Sequence, residues 1–130
     1  MSTPFKDNVD KSTTAPILAL VLLHAVTNAH LLHWQSKSYA QHVTLGEFYN
    51  SLSDVTDDFI EAYMGKYGQI TNPTEFYTLP DADPVIELET LFDHLYQMRQ
   101  NLPDDSELQN LLDEIADLID STLYKLRFLK

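Results

Sequence analysis

Residues 16–37 read PILALVLLHAVTNAHLLHWQSK, and this stretch decides the fold class. Ile17, Leu18, Leu20, Val21, Leu22, Leu23, Val26, Leu31, Leu32 and Trp34 occupy nearly every side of a helix rather than one stripe. Such a helix has to be covered on several sides, in a bundle or by oligomerisation. Thr13 and Thr14 are capping side chains and Pro16 suits a first helical turn, so the pattern predicts helix A from there to about residue 37. Residues 1–11 are polar and are expected to form a flexible arm. The apolar run 17–23 is too short to span a bilayer, and the first residues lack the pattern of a signal peptide.

Outward from that helix, 38–41 reads as a short connection and 42–67 as helix B. Leu45, Phe48, Leu52, Val55, Phe59, Tyr63 and Tyr67 recur at three and four residues, the mark of one buried stripe. Gly65 and Gly68 weaken and stop this helix. A loop follows over 69–83, in which Phe76, Tyr77 and Leu79 are expected to pack. Asp83-Pro84 is a cap followed by proline at the first helical position, and it opens helix C with Val85, Leu88, Leu91, Phe92, Leu95 and Met98. Leu102-Pro103-Asp104-Asp105 is a turn and a second capping sequence before helix D, which carries Leu108, Leu111, Leu112, Ile115, Leu118, Ile119, Thr122 and Leu126. No segment reads as strand. Two helical hairpins joined by a longer link describe one all-α domain over 1–130, a four-helix bundle with a long B–C crossover.

The chain has 130 residues, 44% of them apolar, with 20 acidic against 8 basic side chains and a formal charge of -12. That field repels nucleic-acid phosphate and anionic membranes and attracts cations. There is no cysteine, which excludes disulfides, thiolate catalysis and thiolate-bound metal. The reading is of a soluble, cytoplasmic protein that uses neither DNA nor membrane as a direct partner.

Four residues stand out: His33, His42, Asp57 and Glu61. Two imidazoles and two carboxylates form a ligand set suited to iron with positions left open for oxygen chemistry. Asp57 and Glu61 lie one turn apart on one helical face. His33 closes helix A and His42 opens helix B, so the imidazoles meet near the A–B turn. From His42 to Asp57 is roughly 22 Å of helix at about 1.5 Å per residue, too far for one ion with bonds near ~2 Å. A second copy removes the difficulty. With two B helices antiparallel across a two-fold axis, the histidines of one chain face the carboxylates of the other. No histidine has a glutamate three residues before it; those positions hold Val21, Thr27, His30, Tyr39 and Leu91. An internal di-iron site of the Glu-x-x-His kind is therefore not expected.

The His33-Trp34 dipeptide, His42, Asp57 fifteen residues on and Glu61 four later resemble the ferroxidase motif of the Dps family (DNA-binding protein from starved cells). The likeness covers the bundle in outline and about 30–68 in detail, and is nearest to small divergent Dps-like proteins such as those encoded by some phages. It implies a ferritin-like bundle, a hollow homo-oligomeric shell of twelve subunits, and iron bound between subunits by His33, His42, Asp57 and Glu61. It further implies oxidation of Fe(II) by peroxide or oxygen, storage of the ferric product and protection against oxidative damage, with no organic cofactor. Three features depart from the family. The His33–His42 interval is short, Gly46 stands where a further acidic ligand is expected with Glu47 beside it, and a Lys-rich tail is missing. Glu47 and His30 are secondary candidates for the metal.

The blander reading of the Asp54, Asp57, Asp58 and Glu61 stripe is a solvated acidic face. On that reading His42 is a capping or surface residue, His33 an interface histidine, and the protein a non-enzymatic acidic helical assembly protein with a structural metal site. On that reading His30 is a satisfied interfacial histidine, His24 has no assigned role, His94 is a surface residue, and Asp113, Glu114, Asp117 and Asp120 form a solvated face of helix D or a cation path.

Overall fold

The computed structural model describes residues 4–73 and 77–130, with side chains from residue 13 onward. Four helices follow one another: α1 (Pro4–Gln35), α2 (Tyr39–Tyr67), α3 (Pro84–Arg99) and α4 (Ser106–Phe128). No strand occurs among the described residues. The fold is an all-α four-helix bundle, as the hydrophobic pattern predicts.

Cross-links between helices give the directions. Lys125 near the end of α4 pairs with Glu47 near the start of α2, and Lys66 at the end of α2 bonds Asp105 and Glu107 at the start of α4. Those helices are therefore antiparallel neighbours. Arg127 on α4 bonds Glu89 on α3 at 2.6 Å, and Asn28 late in α1 bonds Glu87 early in α3 at 3.1 Å. Around the bundle the order is α1, α2, α4, α3, with each neighbour reversed. Segment 68–83 leaves α2 at one end and must reach the opposite end to start α3. It is the expected crossover.

All four helices feed one core, in which Leu18, Leu22, Leu45, Phe48, Leu52, Phe59, Leu88, Leu95, Leu112, Ile115 and Ile119 are fully buried. Asp83 caps α3 by accepting from the Val85 N–H at 2.9 Å, with Pro84 in the first turn. Gly68 ends α2 at φ 95°, where a side chain is disfavoured, and its N–H bonds Met64 O at 2.9 Å.

Several boundaries correct the sequence reading. The first helix starts at Pro4, so 4–11 belongs to it and is not an arm, and Thr13-Thr14 do not begin it; residues 1–3 lie outside the described part. The reason is length. A helix over 16–35 would be about 30 Å long, against about 43 Å for the 29 residues of α2. Thr14, Ala15 and Pro16 are buried, so the chain just before the expected start already belongs to the packed part of the bundle. Pro16 is thus tolerated inside the helix, where it can donate no backbone bond. The A–B connection is 36–38 rather than 38–41, because Ser38 is the N-cap and its Oγ accepts from the Gln41 N–H at 3.3 Å. Tyr67 is half exposed, Leu79 is exposed, and Phe76 lies outside the described residues. Asp105 sits at the N-cap of α4 without capping it, since its carboxylate is taken by Lys66 and by Tyr67 Oη at 2.5 Å. The stretch Thr13–Gln35, with a mean hydropathy of 1.7 over its apolar window, is long and apolar enough to cross a membrane, which counting 17–23 alone had excluded; half of that window is buried in the bundle.

Two stability predictions follow from this packing. The Thr56 hydroxyl is buried with no partner among the described residues. Thr56→Val keeps the shape and removes the unpaired oxygen, so it is expected to stabilise the fold by about 1 kcal/mol in chemical denaturation. The hydrogen bond from Lys66, then that from Tyr67, holds the Asp105 carboxyl below its ordinary value of 3.8. A lowered folded-state value means stabilisation that is present above that ordinary value and lost as pH falls through the lowered one. Asp105→Asn should therefore depress the thermal midpoint at neutral pH, and its difference from the parent should close on acidification.

Candidate metal centre

His33 lies in the last turn of α1 and His42 in the first turn of α2, so the tight 36–38 connection brings them side by side. Their rings stack with centroids 3.7 Å apart and planes 18° from parallel. Each ring reaches the other residue's backbone. His33 Nδ1 lies 2.5 Å from His42 O, and His42 Nδ1 lies 2.9 Å from His33 O. A carbonyl only accepts, so both Nδ1 atoms carry the proton and donate. In the neutral rings both Nε2 atoms then keep a lone pair, the arrangement in which a backbone carbonyl orients a metal-binding histidine. His33 O, in the last turn of α1, thus accepts twice, from His42 Nδ1 and from the Ser36 N–H at 3.3 Å.

Gly46 makes the reciprocal bond possible. A Cβ there would lie 3.0 Å from His33 Cε1 and 3.2 Å from Nδ1. The ring occupies the space of the missing side chain and so reaches the carbonyl one turn earlier. The residue that departs from the Dps pattern is the one that seats the histidine. His30 extends the cluster: it stacks on Tyr49 at 4.2 Å and 17°, and packs against Trp34 at 4.4 Å. Trp34 is itself 66% exposed.

Asp57 and Glu61 are exposed on α2, well along the helix from the pair, so one chain does not bring the four residues together. Among the described residues no group of three or more metal-ligating side chains lies within reach of a single ion. Glu47 is exposed and paired with Lys125 at 3.6 Å. His94 is exposed, and His24 lies edge-on to Tyr77 at 4.9 Å. Asp113 pairs with Arg99 at 2.9 Å.

One polar centre carried no motif. Asn28 is buried, accepts from Tyr77 Oη at 2.7 Å, and donates to Thr78 O at 3.3 Å and Glu87 Oε2 at 3.1 Å. Glu87 also takes the Asp81 N–H at 2.8 Å. This network pins the crossover across the α1–α3 groove, over a cavity of about 350 Å³ lined by Ile17, Val21, His24, Thr90 and Leu91. The available signal was an asparagine in the middle of an apolar helix.

A family described only as of unknown function, DUF5856, matches residues 33–126. The chain belongs to that family. The matched span opens at His33 and includes His42, Gly46, Asp57 and Glu61. The chain is also similar to an uncharacterised 14.6 kDa protein from the mobD-ri intergenic region of Enterobacteria phage T4, with 26% identity over 111 residues covering 82% of each chain. No solved structure matches.

The two glycines of α2 offer a paired test of the wedge. Gly65→Ala meets nothing within 4 Å, so helix propensity alone should stabilise it by about 1 kcal/mol. Gly46→Ala gains the same propensity but must displace His33, at an overpacking cost of about 1–3 kcal/mol. Gly46→Ala should thus be neutral to destabilising in denaturant titrations, while Gly65→Ala stabilises. Equal stabilisation by both would show that the ring is not wedged against Gly46.

Proposed function

We propose that this DUF5856 protein is a Dps-like ferroxidase that binds Fe(II) between two copies of the chain and oxidises it with peroxide or oxygen. The observation that carries the reading is the His33–His42 pair, with both Nδ1 atoms donating to carbonyls, which leaves a lone pair on each Nε2 of the neutral rings. Asp57 and Glu61 of a second copy complete the site. Their charge favours the ferric product, and imidazoles with open positions leave room for the oxidant. Two ferrous ions supply the two electrons that reduce one peroxide to water, with uptake of two protons. The 12 net negative charges draw cations towards the surface. A cytoplasmic homo-oligomeric shell that stores the ferric product completes the proposal, and the net charge of -12 argues against DNA as a direct partner.

A second reading has its own support. Since no three metal-ligating side chains converge within one chain among the described residues, the histidine pair is on this view a structural clasp of the hairpin in a non-enzymatic assembly protein, or part of a structural zinc site.

Anaerobic titration with Fe(II), followed by peroxide, separates the two. The ferroxidase should show saturable binding at about one site per chain, as two-fold symmetry requires, and rapid oxidation. Both should be lost in His42→Ala and in Asp57→Ala while helicity is retained. Oxidation no faster than in buffer would leave the assembly reading.

A further inference from the structure

Between α1 and α3, beyond the bond from Asn28 to Glu87, lies the cavity of about 350 Å³. The two helices run antiparallel, so equal steps from that bond set His24 level with Leu91, Val21 with His94 and Ile17 with Met98. From Asn28 to Ile17 is about 16 Å of helix. Polar groups gather at the Asn28 end, where Thr78 and Glu87 also line the wall. The far end is walled by Ile17, Leu20, Val21 and Met98. Thr90 and His94 are exposed and mark the mouth. A protein interior closes voids of this size. An apolar hollow of about 300–1,000 Å³ with a few convergent polar groups is instead the usual form of a small-molecule site.

We propose that this cavity binds a small organic ammonium ion with an apolar body, its charged head at Glu87 and its body along Val21, Leu91 and Met98. Charge decides the class of ligand. No lysine or arginine lines the cavity, and the ion pairs among the described residues use acids other than Glu87. Glu87 accepts from Asn28 Nδ2 at 3.1 Å and from the Asp81 N–H at 2.8 Å. Both donors are neutral, so the carboxylate charge stays unbalanced. A carboxylate has about four acceptor sites, so two remain for a further donor. The two bonds also hold the group in place, which leaves little ordering to be done on binding. A partly buried carboxylate beside an apolar wall favours a cation that brings its own apolar surface. The chain's charge of -12 raises the local concentration of cations and lowers that of anions.

Other ligand classes fit less well. A carboxylate or phosphate would meet Glu87 with no lysine or arginine beside it. A bare metal ion needs several ligating side chains at once. His24, Glu87 and His94 all line the cavity, yet no group of three such side chains lies within reach of one ion among the described residues. An ammonium needs only the carboxylate and one or two further acceptors, which Thr90 and a neutral imidazole supply. The cavity lies on the α3 flank of α1 and the His33–His42 pair on its α2 flank. The inference is therefore independent of the ferroxidase reading.

Titration of the isotope-labelled full chain with octylammonium, octanol and octanoate, followed by NMR, tests the proposal. The three probes share one tail and differ in the charge of the head. Octylammonium should bind saturably and shift the Asn28 side-chain amide and the backbone amides of His24 and Leu91. Octanol should bind more weakly by roughly tenfold or more, and octanoate should not bind there. Glu87→Gln should remove most of the preference for the ammonium over the alcohol. Thr90→Lys, at an exposed position one turn from Glu87, sets the protein's own ammonium beside the carboxylate. It should weaken octylammonium binding by roughly tenfold or more with helicity unchanged, so the head-group charge is tested even where Glu87→Gln loosens the Asn28 network. Glu114→Gln removes an exposed charge on α4, away from the cavity, and should leave binding unaltered. Absence of saturable binding, equal affinity for ammonium and alcohol, shifts confined to residues outside the cavity, or equal weakening by Glu87→Gln and Glu114→Gln would each overturn it.

Discussion

The uncharged stretch from residue 12 to residue 36 of a strongly acidic chain has to be covered, and the architecture follows from that constraint. The Thr13–Gln35 stretch of α1 has apolar residues on most of its circumference. One neighbour covers one side of a helix, whereas a bundle covers two and part of a third. α2 closes one flank, and the two are the longest helices of the bundle, 32 and 29 residues. α3 closes the other flank over a shorter span, where the crossover is drawn across the groove by Asn28. A buried amide inside an apolar helix is costly unless all its groups are bonded. Here Tyr77, Thr78 and Glu87 bond it, so this buried amide ties the long connection to the groove.

The legibility of the fold varied with how local its cause was. Asp83-Pro84 was readable because cap and proline act within one turn, and the α3 start lies where they place it. Gly68 was readable for the same reason. Thr13, Thr14 and Pro16 imitate such a start, but the helix runs through them from Pro4, and no local motif reports that continuation. Asp105 shows the same conflict in a side chain. It has the chemistry and position of a cap, and a lysine and a tyrosine from α2 compete for it and win.

At the candidate site, residue types were legible and geometry was not. His33 and His42 could be placed at one turn because they close and open successive helices. Their reciprocal bonds could not be foreseen, because they depend on a three-residue connection and on the space at Gly46. Read against a family pattern, Gly46 looked like a lost ligand. In the folded chain it is the opening into which the imidazole fits. Helix rise alone was enough to separate the carboxylates from the histidines, since that distance depends on nothing but helix geometry.

On the proposed reading, two opposed demands meet on one surface. A cation store benefits from a high negative charge, and an inter-subunit site needs copies of that charge to approach one another. The chain separates the two along its helices. Acid is concentrated on the C-terminal half of α2 and on the outer faces of α3 and α4, while α1 and the start of α2 carry almost none. A two-fold axis through the neutral region turns each acidic half towards a neutral, histidine-bearing one, so like charges are held at the length of the bundle rather than face to face. Chemistry at such a site is conditional on assembly. On that reading the isolated chain holds two half-sites, a histidine pair and a carboxylate pair, that only a second copy would join.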